Sequence, residues 1–98
     1  MTEKNKNNTV DHFINGEWVS SSTGETFDDL NPLDDSVYGT VAKGSKDDIM
    51  RAVSSAKSAS IEYRNTLPTE RERMLLKVAE IMERRKSDLI DCLIDEIG

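Results

Sequence analysis

Up to residue 44 the apolar residues come in short groups broken by turn-forming residues; beyond it they recur at three-and-four spacing. Phe13-Ile14 and Trp18-Val19 flank Asn15-Gly16, a pair that tolerates the positive φ angles of a type I′ turn, so a hairpin is predicted. A small polar loop with Gly24 leads to a second extended stretch, Thr26 to Leu30, with Phe27 and Leu30 as its apolar members. Asn31-Pro32 stops it, Asp34-Asp35 supplies a turn, and strand-like alternation resumes from Val37 to Val41. Residues 12–44 therefore predict a small antiparallel meander. Ser45 and Asp48 then have capping-box spacing, and a helix A over 45–65 places Ile49, Ala52, Val53, Ala56 and Tyr63 on one face. Leu67-Pro68 ends it. Thr69 and Glu72 repeat the capping-box spacing and open a helix B over 69–97, closed by Gly98.

Helix B carries the longest apolar pattern. With successive residues turned by about 100°, Leu75, Val78, Ala79, Met82, Leu89, Ile90, Leu93 and Ile97 form one face, and Met74, Ile81 and Cys92 fall to one side of it. That stripe is wider than one helical partner needs, so a further partner is expected.

Composition narrows the class. The chain has 98 residues, 36% hydrophobic and 33% charged, enough for one modest core. Residues 1–11 are mostly polar and predict a disordered leader, with structure beginning near His12. No apolar run suits a membrane span or a secretory signal, so a cytoplasmic location is expected, with no membrane partner. Of the net charge of -6, residues 1–44 hold three basic and eight acidic side chains, leaving ten and eleven for residues 45–98. This acidity, without a basic stripe interleaved with aromatics, argues against nucleic acid.

The candidate chemistry is sparse. Cys92 is the single cysteine, which excludes an intrachain disulfide, and it lies in a helix beside Asp91 with no cation to activate it. His12 is the single histidine, without a partner at metal-ligand spacing, and reads as a solvated or hydrogen-bonded surface residue. Trp18 reads as a core anchor for the hairpin. Arg71, Arg73, Arg84, Arg85 and Lys86 alternate with Glu70, Glu72, Glu80 and Glu83 as on a solvated helix laced by ion pairs. Gly39 and Gly44 do not make a G-x-G-x-x-G fingerprint. No catalytic or cofactor-binding residue is assigned.

Several strings share an order and spacing. Phe13-Ile14-Asn15-Gly16-Glu17-Trp18, Gly24-Glu25-Thr26-Phe27, Asn31-Pro32, the stretch from Ser45 to Ala59, the run from Leu67 to Leu76, and Asp95-Glu96-Ile97-Gly98 together resemble the amino-terminal segment of the aldehyde dehydrogenase superfamily. Each is weak alone, but their collinear succession over residues 12–98 is specific. The resemblance implies an α/β class, or α+β for the segment taken alone, as the leading part of an incomplete dinucleotide-binding domain in which 45–98 is a helical hairpin. It also implies an enzyme that oxidises an aldehyde to a carboxylic acid with NAD or NADP and assembles as a homo-oligomer. That chemistry needs a thiolate nucleophile, a hydride acceptor and a base for deacylation. The resemblance places the first and last, with the oxyanion asparagine, beyond residue 98, so this chain is expected to act by packing against the remainder of the enzyme. The family's structural sodium or potassium ion maps onto the carbonyls of Asp29 and Leu30 and the carboxylate of Glu96, a partial shell of hard oxygen ligands. The competing class is a standalone interaction module that presents the apolar face of helix B.

Overall fold

The computed structural model describes residues 9–98. Five strands, β1 (Thr9–Val10), β2 (His12–Ile14), β3 (Glu17–Val19), β4 (Thr26–Leu30) and β5 (Val37–Ala42), precede three helices, α1 (Lys46–Arg64), α2 (Pro68–Arg84) and α3 (Lys86–Ile97). The class is that of an α/β segment. Its strands form two sheets, a three-stranded one in the order β1-β5-β4 and the separate β2-β3 hairpin.

The hairpin forms as its turn chemistry dictates: Asn15 and Gly16 both take positive φ, 54° and 77°. Phe13 pairs with Trp18 across it, ring centroids 5.0 Å apart. Both rings are exposed, Trp18 at 46%, so the expectation of a core tryptophan is corrected. The two aromatics cover each other instead.

The meander needs a second correction, because β4 and β5 are antiparallel but β1 lies parallel to β5, with Thr9 opposite Thr40 and Val10 opposite Val41. Structure therefore begins by Thr9, inside the stretch read as leader; residues 1–8 of that leader lie outside the described residues. Two β-branched residues supply the strand, and the Thr9 and Thr40 hydroxyls meet at 2.8 Å.

Helix α1 starts as its capping box predicts. The Ser45 hydroxyl accepts from the Asp48 N–H, and the Asp48 carboxylate accepts from the Ser45 N–H. The second capping box does not form. Leu67 is the N-cap with no side-chain bond, because proline pushes the residue before it to extended geometry and itself fits the first helical position. Helix B is two helices rather than one, parted at Arg85, where φ is -102° and ψ is 19°. The basic run Arg84-Arg85-Lys86 suits the negative end of α2, and Asp88 suits the positive end of α3.

Almost no apolar core forms within the described residues. Ala42 is the one buried hydrophobic residue there, while Leu75, Val78, Met82, Ile90, Leu93 and Ile97 all stay exposed. Ile81, Leu89 and Cys92 are half-buried, so α2 and α3 turn the edge of the stripe inward and leave its broad face open. The radius of gyration is 16.4 Å, against about 13 Å for a compact domain of 100 residues.

Candidate functional site

Two polar clusters stand out, one where α3 meets the three-stranded sheet and one at the start of α1. At the first, Asp29 and Glu96 line one cavity of about 130 Å³, with Tyr38, Gly39 and Thr40 among its walls. The two residues come together because the end of α3 rests on the turn after β4: a methyl placed on Gly98 would sit 3.5 Å from Pro32 Cγ and 3.7 Å from Leu33 Cδ2. Asn31 shapes that turn, its side-chain oxygen accepting from the Leu33 N–H at 2.9 Å while its N–H donates to the Ser36 carbonyl at 2.8 Å. Asp34 adds a second loop of bonds, accepting from the Ser36 N–H at 3.0 Å and hydroxyl at 2.6 Å, which lowers its pKa.

The β4–β5 register shifts between Asp29 and Leu30, and such an irregularity leaves backbone groups outside the regular ladder. Leu30 is not among the cavity-lining residues and its side chain is exposed, which a residue offering only a carbonyl permits. Among the described residues no group of three His, Cys, Asp or Glu side chains is arranged to hold a metal ion, so an ion here would lean on those carbonyls.

Cys92 and Tyr38 join the cluster. The Cys92 thiol donates to Glu96 Oε1 at 3.4 Å, and that bond, with burial, pushes its pKa up. The Tyr38 hydroxyl lies beside the same thiol, and that neighbour, with burial and the charges of Asp95 and Glu96, pushes the tyrosine's pKa up. A thiol held neutral beside carboxylates is a poor nucleophile. Sequence reasoning placed Cys92 in a helix but missed Tyr38, whose strand signal says nothing about which helix lies behind it.

The second cluster centres on Asp48, 2% exposed. Its carboxylate accepts from the Ser45 N–H at 3.0 Å, from the Ser22 N–H at 3.2 Å to each oxygen, and from Arg51. These donors, the Ser45 N–H first and then Arg51 and Ser22, outweigh the desolvation that opposes them and hold its pKa far below the usual carboxylate range. Ser21 is buried as well; its hydroxyl has one proton and gives it to the Lys43 carbonyl at 2.6 Å rather than to Asp48 at 3.4 Å. His12 closes the group, its Nε2 3.5 Å from Asp48 Oδ2 and its side chain 21% exposed. Of the two readings of His12, solvated or hydrogen-bonded, its partly buried place beside Asp48 removes the first. The cap spacing foretold one of the carboxylate's roles; its contacts to the 21–22 loop and to β2 depend on tertiary placement.

The family model described as "Aldehyde dehydrogenase family" matches residues 18–98. A protein of Staphylococcus saprophyticus assigned as an aldehyde dehydrogenase is 42% identical over 91 residues, covering 93% of this chain and 19% of that protein. One from Staphylococcus aureus is 43% identical over 86 residues, covering 88% and 18%. The crystal structure of HpcC from Thermus thermophilus superposes with a TM-score of 0.77 at 39% identity, over 82% of this chain and 16% of that one. The chain belongs to the aldehyde dehydrogenase family, as its amino-terminal segment. It spans about 19% of the length of the curated relatives it matches.

Proposed function

We propose that these residues form the leading part of the cofactor domain of an NAD(P)-dependent aldehyde dehydrogenase, a cytoplasmic homo-oligomer that oxidises an aldehyde to a carboxylic acid. The observation that carries this reading is the family match over residues 18–98, joined to helices whose apolar faces stand uncovered. Faces of this width are what a segment presents when the rest of a larger core lies against it. The segment's part in the reaction is structural. It holds no activated nucleophile, since Cys92 is kept protonated, and the thiolate, the deacylating base and the nucleotide site belong to the remainder of the enzyme.

Glu96, with the carbonyls of Asp29 and Leu30, is part of a shell for sodium or potassium. Support comes from the shared cavity of Asp29 and Glu96 and from the seating of Gly98 on the Asn31-Pro32 turn. None of the described helices is long and apolar enough to cross a membrane.

The test is a pair of proteins. The 98-residue chain alone should give no aldehyde-dependent reduction of NAD or NADP, and a chain that continues through the family's catalytic cysteine should give it. Turnover by the 98-residue chain, abolished by Cys92→Ser, would overturn the structural role. For the ion, potassium or sodium should raise the enzyme's melting temperature, and Glu96→Gln should remove that rise; an equal rise in both proteins sinks the site.

A further inference from the structure

The His12 ring sits where β2 meets the start of α1. Its Nε2 is buried and makes no hydrogen bond as placed, and Asp48 Oδ2 lies 3.5 Å away, a little beyond bonding distance. A lone pair on that nitrogen would face an anionic oxygen away from water, two acceptors with nothing between them. A proton on Nε2 turns the same pair into a charge-assisted hydrogen bond after a shift of a few tenths of an ångström. The neutral Nε2–H tautomer and the imidazolium both supply that proton, and the Nδ1–H tautomer does not.

The carboxylate has room for this donor. Oδ2 takes the Ser45 N–H and shares the Ser22 N–H, Arg51 bonds to Oδ1, and the Ser21 proton goes to Lys43. Three donors serve a carboxylate with about four acceptor directions, so one remains.

The hairpin has little else to hold it to α1. Ile14 and Val19 face Met50, Ser54 and Ala59 across an open groove of about 740 Å³, and Phe13 and Trp18 are exposed. We infer that His12, with its proton on Nε2 and donating to Asp48, is the peg that fixes the β2-β3 hairpin against the first turn of α1.

Amide hydrogen exchange of residues 12–19 in the enzyme tests this with two substitutions. Phenylalanine keeps a ring and removes the donor; glutamine keeps a donor and removes the ring. His12→Phe should speed exchange roughly tenfold, the effect of losing a hydrogen bond to a charged group, and His12→Gln should stay within about twofold of the parent. Equal exchange in the parent and His12→Phe, or equal acceleration in both variants, overturns the proposal. Should His12→Phe fail to fold, nitrogen chemical shifts of the unsubstituted 98-residue chain, where His12 is the only histidine, report the tautomer directly. A proton on Nε2 supports the peg, and the Nδ1–H form rules it out.

Discussion

The two halves of the chain are held by different forces. In the strand half, polar atoms do the joining: Asp48 gathers the 21–22 loop, the cap of α1 and β2 around one buried carboxylate, and Ser21 binds Lys43. In the helical half, α2 and α3 present Leu75, Val78, Met82 and Leu93 to open space, and their inward edge is the narrow line of Ile81, Leu89 and Cys92. Hydrogen bonds are directional and can be completed locally, whereas an apolar face gains only when something covers it. The first half is therefore held by its own bonds, and the second exposes faces that, on the proposed reading, a longer chain covers.

Placing a charge on the open face should break that contrast most severely. Val78→Asp should destabilise the complete enzyme by about 3 kcal/mol or more, the cost of burying an unpaired carboxylate, and leave the 98-residue chain nearly unchanged. Denaturant unfolding of both proteins with and without the substitution measures this. An equal effect in the two would mean that the face is not covered.

Asp48→Ala attacks the other half. It strands the Ser45 and Ser22 N–H groups and Arg51, and should raise the unfolding constant of the enzyme about a hundredfold, seen by thermal denaturation. The same carboxylate sets a pH dependence. Its folded pKa lies below that of the unfolded chain, about 3.9, so its contribution is present above that value and is lost as the pH falls further. Asp48→Asn should flatten the acid limb below about pH 4; an unchanged limb would assign acid sensitivity elsewhere.

How much of this was legible in the sequence follows the same division. The Asn15-Gly16 turn, the Ser45 cap and the amphipathic helices depend on neighbours in the chain, and each is present. What escaped was set by contacts between distant residues. Thr9-Val10 is too short to signal a strand until Thr40 and Val41 lie beside it, and His12 looks idle until Asp48 is placed against it. The break at Arg85 had a local sign, three basic residues followed by Asp88, which the continuous apolar pattern masked. The proposed ion ligands Asp29, Leu30 and Glu96 came only from the family resemblance, because nothing in their spacing says that α3 ends against the turn after β4.

The hairpin gives a smaller, local test of the strand half. Gly16 has φ 77° with nothing within 4 Å of a built Cβ, so Gly16→Ala meets backbone strain and no clash. A loss of about 1 kcal/mol is expected in denaturant unfolding, and no loss would mean that the type I′ turn does not constrain the enzyme.

The smallest effect is at the seam between the halves, where Cys92 of α3 meets Tyr38 of β5. Glu96 raises the thiol pKa by accepting a hydrogen bond from it, and the neighbouring Tyr38 hydroxyl opposes this. The reactive species is the thiolate, so the alkylation rate at fixed pH reports the balance. Glu96→Gln removes the dominant upward influence and should speed alkylation by iodoacetamide about threefold, while Tyr38→Phe removes the opposing donor and should slow it by a comparable factor. Alkylation also requires access, which both substitutions could alter in the same direction by loosening α3 from the sheet. Opposite signs in the two variants therefore identify electrostatic control of the thiol by Glu96 and Tyr38, and a common acceleration would show that the seam is held by packing alone.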